Sequence, residues 1–331
     1  MQSTAIWLLP LALVVVVCSA QQPALSPPNF SHRIQPPPMP LAPSTKGVGP
    51  CSRGLSTVAL DAVGDRLLIL ANAGCSASAG SFLMGLDLNG SSNHLATLPP
   101  AGAVDLQVTQ PGRIVVRFIT KAGVTFQELT ATGEEVSRHS EPLPASRRFA
   151  FLESGNVFRL HLDGSTSVAS SVGVRSTTLP AITVNSLALP LSANKVLMID
   201  QEFGELTVYE HATGSVARAR VQSPEIADSI GRYESIARNA PAGPQGQQAH
   251  GKGIVVLDAK VRQDKVFLLV SPYTRTEGAL VLQVSPTGAV QRKWRLRFSS
   301  VDDTAPSYLS LAGKSICLAS TEGSIGCFAI N

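Results

Sequence analysis

From about Ser56 to the last residue, the chain alternates apolar and polar positions in short runs, each closed by a turn signal. Val58-Ala59-Leu60 leads to Gly64-Asp65, and Leu67 to Leu70 follows. Phe82-Leu83-Met84 leads to Asn89-Gly90, with a further short run near Leu95. That is one unit of about four strands, and the next stretch repeats it: Val104–Val108, Pro111-Gly112, Ile114–Ile119, Val124–Leu129, then Gly133. Runs of this length with turns every ~8–12 residues predict an all-β protein. Recurrence with a period of roughly 40–50 residues predicts a ring or stack of similar sheets.

The punctuation of these units is a polar residue followed by glycine after an alternating strand. It stands at Asn89-Gly90, Thr132-Gly133, Asp163-Gly164, Thr213-Gly214 and Thr287-Gly288. The gap from Gly133 to Gly164 is short, which predicts an abbreviated third unit whose inner strand is shrunken or missing. The gap from Gly214 to Gly288 is long and marks an insertion over 223–252. The insertion begins with Ser223-Pro224-Glu225, a capping serine, a proline at the first helical position and an early acid. Ile226, Ile230, Tyr233 and Ala237 then recur at helical spacing, before the flexible Ala240–Gly246. The final run, Phe328-Ala329-Ile330-Asn331, is the same strand without its glycine, so the last sheet is one strand short.

These turns and strands resemble those of the six-bladed β-propellers, and in particular secreted bacterial proteins of the NHL-like kind. The resemblance implies four antiparallel strands per blade and a ring closed by a strand from the opposite terminus, here an N-terminal strand drawn from Lys46–Ser52. The chain thus divides into three expected segments: a signal peptide over 1–20 and a Pro-rich extended linker over 21–45, both read from composition, and a propeller over 46–331. Closure of this kind removes the exposed sheet edge that invites aggregation.

Composition bears on compartment. Ile6–Val17 is almost wholly apolar and runs into Cys18-Ser19-Ala20, the anatomy of a secretory signal peptide too short to span a bilayer. Acylation of Cys18 is the alternative, giving a lipid-anchored exported protein. No later run in the mature chain is long and apolar enough for a membrane helix. With Cys18 removed, Cys51, Cys75, Cys317 and Cys327 remain, an even count that suits disulfides in an exported chain. Cys317 and Cys327 flank Thr321-Glu322-Gly323 and so face each other across a hairpin; Cys51 and Cys75 are left to pair near the first hairpin. Four free buried thiols are the alternative.

Net charge is +4 with no long basic block, so nucleic acid is not indicated. Basic residues alternate with apolar ones in Arg218–Val221 and in Lys293–Phe298. Charge on an outer strand protects an edge from pairing with other chains, and that reading outweighs a docking patch.

The six histidines lack metal-ligand spacing, no C-x-x-C, nucleophile elbow or phosphate-binding loop occurs, and no cofactor is expected. Sugar-lactone hydrolases are also six-bladed propellers, with a metal held by an early acid. Here no glutamate precedes Glu128, and Asp61 is expected to end its strand on the other face. Propeller topology instead gathers Arg232, Tyr233, Tyr273, Arg275, Asp302, Asp303 and Tyr308 on one loop face around blades five and six. Tyrosine with arginine is a common recognition pairing. The expected function is therefore a noncatalytic binding or scaffold propeller for a protein, peptide, glycan or envelope partner. The alternative is a hydrolase or lyase with its site at the channel mouth.

Overall fold

A computed structural model describes residues 28, 30–33, 55–73, 81–98, 102–109, 112–120, 123–141, 148–152, 155–161, 165–170, 173–178, 185–239, 253–274, 276–299 and 304–330. These form six four-stranded antiparallel sheets, five of them meanders and the sixth completed by a strand from the other end of the chain. Blade 1 is β2 (Leu55–Val63), β3 (Arg66–Ala73), β4 (Ser81–Asp87) and β5 (Ser92–Leu98). Blade 2 is β6 (Gly102–Thr109), β7 (Arg113–Thr120), β8 (Gly123–Leu129) and β9 (Glu135–Glu141). Blade 3 is β10 (Arg148–Phe151), β11 (Val157–Leu160), β12 (Ser165–Ser170) and β13 (Gly173–Thr178). Blade 4 is β14 (Ser186–Ser192), β15 (Lys195–Asp200), β16 (Glu205–Glu210) and β17 (Ser215–Arg220). Blade 5 is β18 (Val256–Arg262), β19 (Lys265–Thr274), β20 (Gly278–Val284) and β21 (Val290–Leu296). Blade 6 is β22 (Pro306–Ala312), β23 (Ser315–Ser320) and β24 (Ser324–Ala329), completed by β1 (Phe30–Arg33).

Middle strands are buried on both faces because each blade is sandwiched between two others. All seven residues of β20 are buried, whereas the outer β9 is exposed from Glu135 to Ser140. The core is correspondingly divided among the blade interfaces. Leu68, Leu83, Leu106 and Phe118 join blades 1 and 2. Leu197, Ile199, Val256 and Leu268 join blades 4 and 5, and Leu269, Val281, Leu309 and Ile316 join blades 5 and 6. Between blades 2 and 3 the cluster shrinks to Val115, Val124, Phe126 and Phe149.

The recurrent turn glycines have a packing reason as well as a conformational one. Gly133 has φ +91°, and a β-carbon there would overlap the Leu95 carbonyl on the outer strand of blade 1. Gly288, at φ +83°, meets the Arg220 carbonyl of blade 4 in the same way. These turns thus lie against the outer edge of the preceding blade, where only glycine fits.

Two sequence expectations change. Ring closure is by an N-terminal strand, but the strand is Phe30–Arg33, paired antiparallel with β24 from Phe30 opposite Cys327 to Arg33 opposite Ser324. It comes from within the proline-rich stretch; Lys46–Ser52 lies outside the described residues. A strand of four residues between prolines is enough, because an edge position needs pairing on one side only. The uneven glycine spacing also has a different origin. Asp163-Gly164, outside the described residues, falls between β11 and β12, one hairpin earlier than the other turns, which precede the outermost strand. Blade 3 keeps all four strands, with its inner strand shortened to four residues.

The insertion forms α1 (Pro224–Asn239). Ile226 and Ile230 are buried against blades 4 and 5, as the apolar stripe predicts. Glu225 at the first turn is held by the Ser223 hydroxyl and by Lys293 Nζ at 2.9 Å. Burial works against its carboxylate, but these two donors hold its pKa below the ordinary glutamate value. The Ser229 hydroxyl donates to the Ser271 carbonyl at 2.7 Å and ties the helix to β19.

Cys317 and Cys327 sit directly opposite on β23 and β24 and form a disulfide with Cα atoms 4.1 Å apart. Cys51 and Cys75 lie outside the described residues.

Deleting residues 1–34 should lower Tm by about 5–10 °C through loss of the β1–β24 ladder, while deleting 1–27 leaves Tm unchanged by differential scanning calorimetry. Equal Tm for the two truncations would remove β1 from ring closure. Peptide mapping without reductant should recover Cys317 joined to Cys327, and the double change Cys317→Ala/Cys327→Ala should cost about 2–4 kcal/mol in urea unfolding.

Candidate functional site

The innermost strands line a central channel, and several carry charged residues among apolar neighbours. Asp61 on β2, Asp105 on β6, Arg148 on β10, and Asp258 with Lys260 on β18 border a cavity of about 150 Å³. A second cavity of about 140 Å³ adds Tyr308, Ser307 and Gln201 at the mouth. Asp61 is inside β2, which runs on to Val63, and not at a strand end as expected from sequence; its carboxylate borders the channel.

These side chains are committed to their neighbours. Asp61 Oδ1 accepts from the Ala62 N–H at 3.0 Å, and Oδ2 accepts from the Val108 N–H of blade 2 at 2.8 Å. Asp258 repeats the arrangement, accepting from the Ala259 N–H at 2.8 Å and from the Leu309 N–H of blade 6 at 2.7 Å. Gln107 performs the same task toward blade 3, donating to the Phe151 carbonyl at 3.0 Å and accepting from the Phe151 N–H at 3.1 Å. Arg148 donates to the Ser186 carbonyl of blade 4 at 3.2 Å, and Gln201 of blade 4 donates to the Val256 carbonyl of blade 5 at 2.9 Å. Blade 6 is hydrogen-bonded to blade 1 by backbone groups, Thr57 N–H to the Thr321 carbonyl and Gly313 N–H to the Gly64 carbonyl, both 2.8 Å, beside an apolar cluster that includes Leu67, Phe82 and Ile325. Each interface therefore has a hydrogen-bonded fastening near the axis.

Charge is balanced within this ring of contacts. Lys260 Nζ lies 3.6 Å from Asp61 Oδ1, and both side chains are only 17 % exposed. Burial disfavours the ammonium, but Asp61, Asp258 and Asp105 together outweigh it and hold the lysine pKa above its ordinary value. A lysine held in that state is a cation and not a nucleophile. Burial raises the Asp258 pKa to about 6, against the pull of Lys260 and the two backbone amides. Tyr308 at the mouth is raised by burial and by Asp258 and Glu322. Asp105 accepts from the Leu106 N–H at 2.9 Å and lies 3.4 Å from Arg117, whose guanidinium covers the Phe149 ring at 5.3 Å. Among the described residues, no group of three or more His, Cys, Asp or Glu side chains could hold a metal ion.

The loop-face residues separate. Arg232 is exposed on α1, and Tyr233 is half-buried with its ring against Gly253, where a β-carbon would overlap it. Tyr273 turns into the blade 5–6 core and donates from its hydroxyl to the Phe298 carbonyl at 2.8 Å. Tyr308 borders the channel mouth beside Asp258. Arg275, Asp302 and Asp303 lie outside the described residues. Sequence reasoning passed over Asp105, Arg148, Asp258 and Lys260. Their signal was present: Asp258 and Lys260 interrupt Val255-Val256-Leu257 and Val261, a run that otherwise reads as a buried strand.

A separate cleft opens between blades 2 and 3, where the core is thinnest. Phe126, Phe151 and Val157 line it, with the ion pairs Arg113–Glu128 and Arg159–Glu141 on its rim.

Neither protein-family profiles nor curated protein sequences gave a match to this chain. Solved structures do resemble it. One is the structure of U3-55K, at 11 % identity over 83 % of this chain and 96 % of that one, with a TM-score of 0.54. Another is a structural-genomics protein of unknown function from Bacteroides thetaiotaomicron VPI-5482, at 11 % identity over 83 % of this chain and 70 % of that one, with a TM-score of 0.53. At that identity the likeness concerns fold alone, and with the sheet topology it makes the chain a six-bladed β-propeller.

Proposed function

We propose that this is an exported, noncatalytic binding propeller of the NHL-like kind, recognising a peptide, glycan or envelope partner through the loop face of blades five and six. One observation carries the reading: the channel's ionisable groups hold adjacent blades together. Asp61, Arg148 and Asp258 each reach the backbone of the next blade, as the carboxamide of Gln107 does, and the Lys260 cation is paired with Asp61. A catalytic channel needs groups left available to a substrate. The disulfide in blade 6 suits an oxidising compartment. Among the described residues, no helix is long and apolar enough to cross a membrane.

The residues proposed for recognition are Arg232 on α1 and, by their position in the sequence alone, Arg275 between β19 and β20 and Asp302 and Asp303 before β22. Arg232→Ala/Arg275→Ala should weaken binding to peptide or glycan arrays about tenfold without changing Tm. Unaltered retention on every ligand the wild type binds would move the recognition surface elsewhere.

A second reading has one observation in its favour: Asp258, with a pKa of about 6, stands beside Tyr308 at the channel mouth, as a general acid or base would. The two readings differ in what Asp258→Asn does. Folding raises the Asp258 pKa, so the fold favours the protonated carboxyl. Its contribution to stability is complete below about pH 4, the ordinary aspartate range, and is lost as pH rises through about 6. Wild-type Tm should therefore decline across that window more steeply than the variant's, while ligand binding persists. Loss of a measurable hydrolase or lyase turnover in the variant would favour the enzyme.

A further inference from the structure

On the face opposite α1, a cleft of about 390 Å³ lies between blades 5 and 6. It falls within the ~300–1,000 Å³ range typical of small-ligand sites. The turns joining β18 to β19 and β22 to β23 form its rim, with Gln263, Gly313 and Lys314. Its lining includes four cations, Arg262, Lys265, Arg292 and Lys314, and no carboxylate. On the same strand β21, by contrast, Lys293 pairs with Glu225 and Arg295 with Glu277. Arg262 reaches the Gly313 carbonyl, but neither it, Lys265 nor Lys314 has a carboxylate partner among the described residues. The nearest turns do contain acids, Asp264 at the tip of the first and Asp65 of blade 1 beside Gly313, and neither lines the cleft.

Protection of an edge accounts for charge along β21, but not for this concentration. The outer strand β5, from Ser92 to Leu98, carries no lysine, arginine, aspartate or glutamate at all. Arg262, Lys265 and Lys314, moreover, belong to the inner half of their blades. The cleft also has an aromatic wall. Trp294 stacks on Phe267 with ring centroids 6.0 Å apart at 19°, and both rings line it. Two carboxamides complete the lining, Gln263 and Gln283, the latter donating to Gln291 at 2.7 Å.

We infer that this cleft binds an acidic saccharide, one whose carboxylate or sulfate meets the Arg262–Lys265–Lys314 cations while a sugar ring rests against Trp294. The cations supply charge-assisted hydrogen bonds, the indole an apolar wall, and the carboxamides partners for hydroxyl groups. A phosphate alone would leave the aromatic wall unused, and a neutral sugar would leave the cations unmatched. The inference is independent of the loop-face reading, since the two surfaces lie at opposite ends of the channel.

The chain contains two tryptophans, Trp7 and Trp294, so Trp7→Phe leaves the cleft residue as the single tryptophan, which excitation at the red edge of the indole band reports alone. Titration of that protein with trigalacturonate should change Trp294 emission saturably, while a neutral galactose trimer at equal concentration leaves it unchanged. Lys265→Ala/Lys314→Ala, both exposed, should weaken trigalacturonate at least about tenfold with Tm preserved. Affinity should also fall with added salt. The inference is overturned if the neutral trimer binds equally, if the double variant binds as the wild type does, or if inorganic phosphate or adenosine monophosphate binds more tightly than the uronate. Arg232→Ala/Arg275→Ala should leave this titration unaltered, so failure here and failure of the loop-face reading are separable.

Discussion

At four of its six interfaces the ring depends on a polar side chain reaching from one innermost strand to the backbone of the next. Hydrophobic packing between blades is generous but non-directional, and by itself would allow neighbouring sheets to slide. The Asp61–Val108 and Asp258–Leu309 bonds fix the relative height of adjacent blades, and the two-way Gln107–Phe151 contact does so where apolar packing is thinnest. A buried carboxylate removed from water must be compensated, which is why Lys260 stands between Asp61 and Asp258. The axial charges thus form a self-balancing unit, and the surfaces left for partners are at the two ends of the ring.

The architecture was legible because its signals are local. A turn glycine at positive φ, an alternating strand and a helix start of Ser-Pro-Glu each occupy a few adjacent residues, and each has a steric or hydrogen-bonding cause. Cys317 and Cys327 were legible for the same reason, being partners across one hairpin. What escaped was nonlocal. The pairing of Phe30–Arg33 with the far end of the chain leaves no trace in a four-residue segment set among prolines. The glycine at 164 matched the pattern but sat one hairpin early, so spacing pointed to a shrunken inner strand, which the third blade has, for a reason that lay elsewhere. The loop-face residues were gathered by topology, yet Tyr273 turned inward to the Phe298 carbonyl and Tyr233 settled against Gly253. The axial residues had a visible signature, ionisable groups in otherwise apolar strands, but their meaning depended on what the neighbouring blade presented.

The two ends of the ring differ in character. One carries α1, whose buried isoleucines fasten it across blades 4 and 5, and longer connections. The other is built from tight turns, and its chemistry comes from side chains on those turns and on the strands they join. Rigid strands hold functional groups more precisely than loops do.

Closure by β1 has a consequence for the order of assembly. Residue 30 lies opposite residue 327, so the contact that seals the ring spans almost the whole length of the chain. Contacts so distant in sequence form late, after local hairpins have condensed into blades. Until β24 has been synthesised, the segment carrying β1 has no ladder to join and the first blade has no neighbour on one side. The growing chain must therefore keep its leading strand unpaired through five blades' worth of synthesis. A short strand beside Pro27 and Pro28 is suited to waiting, because prolines lack the N–H needed to recruit a wrong partner.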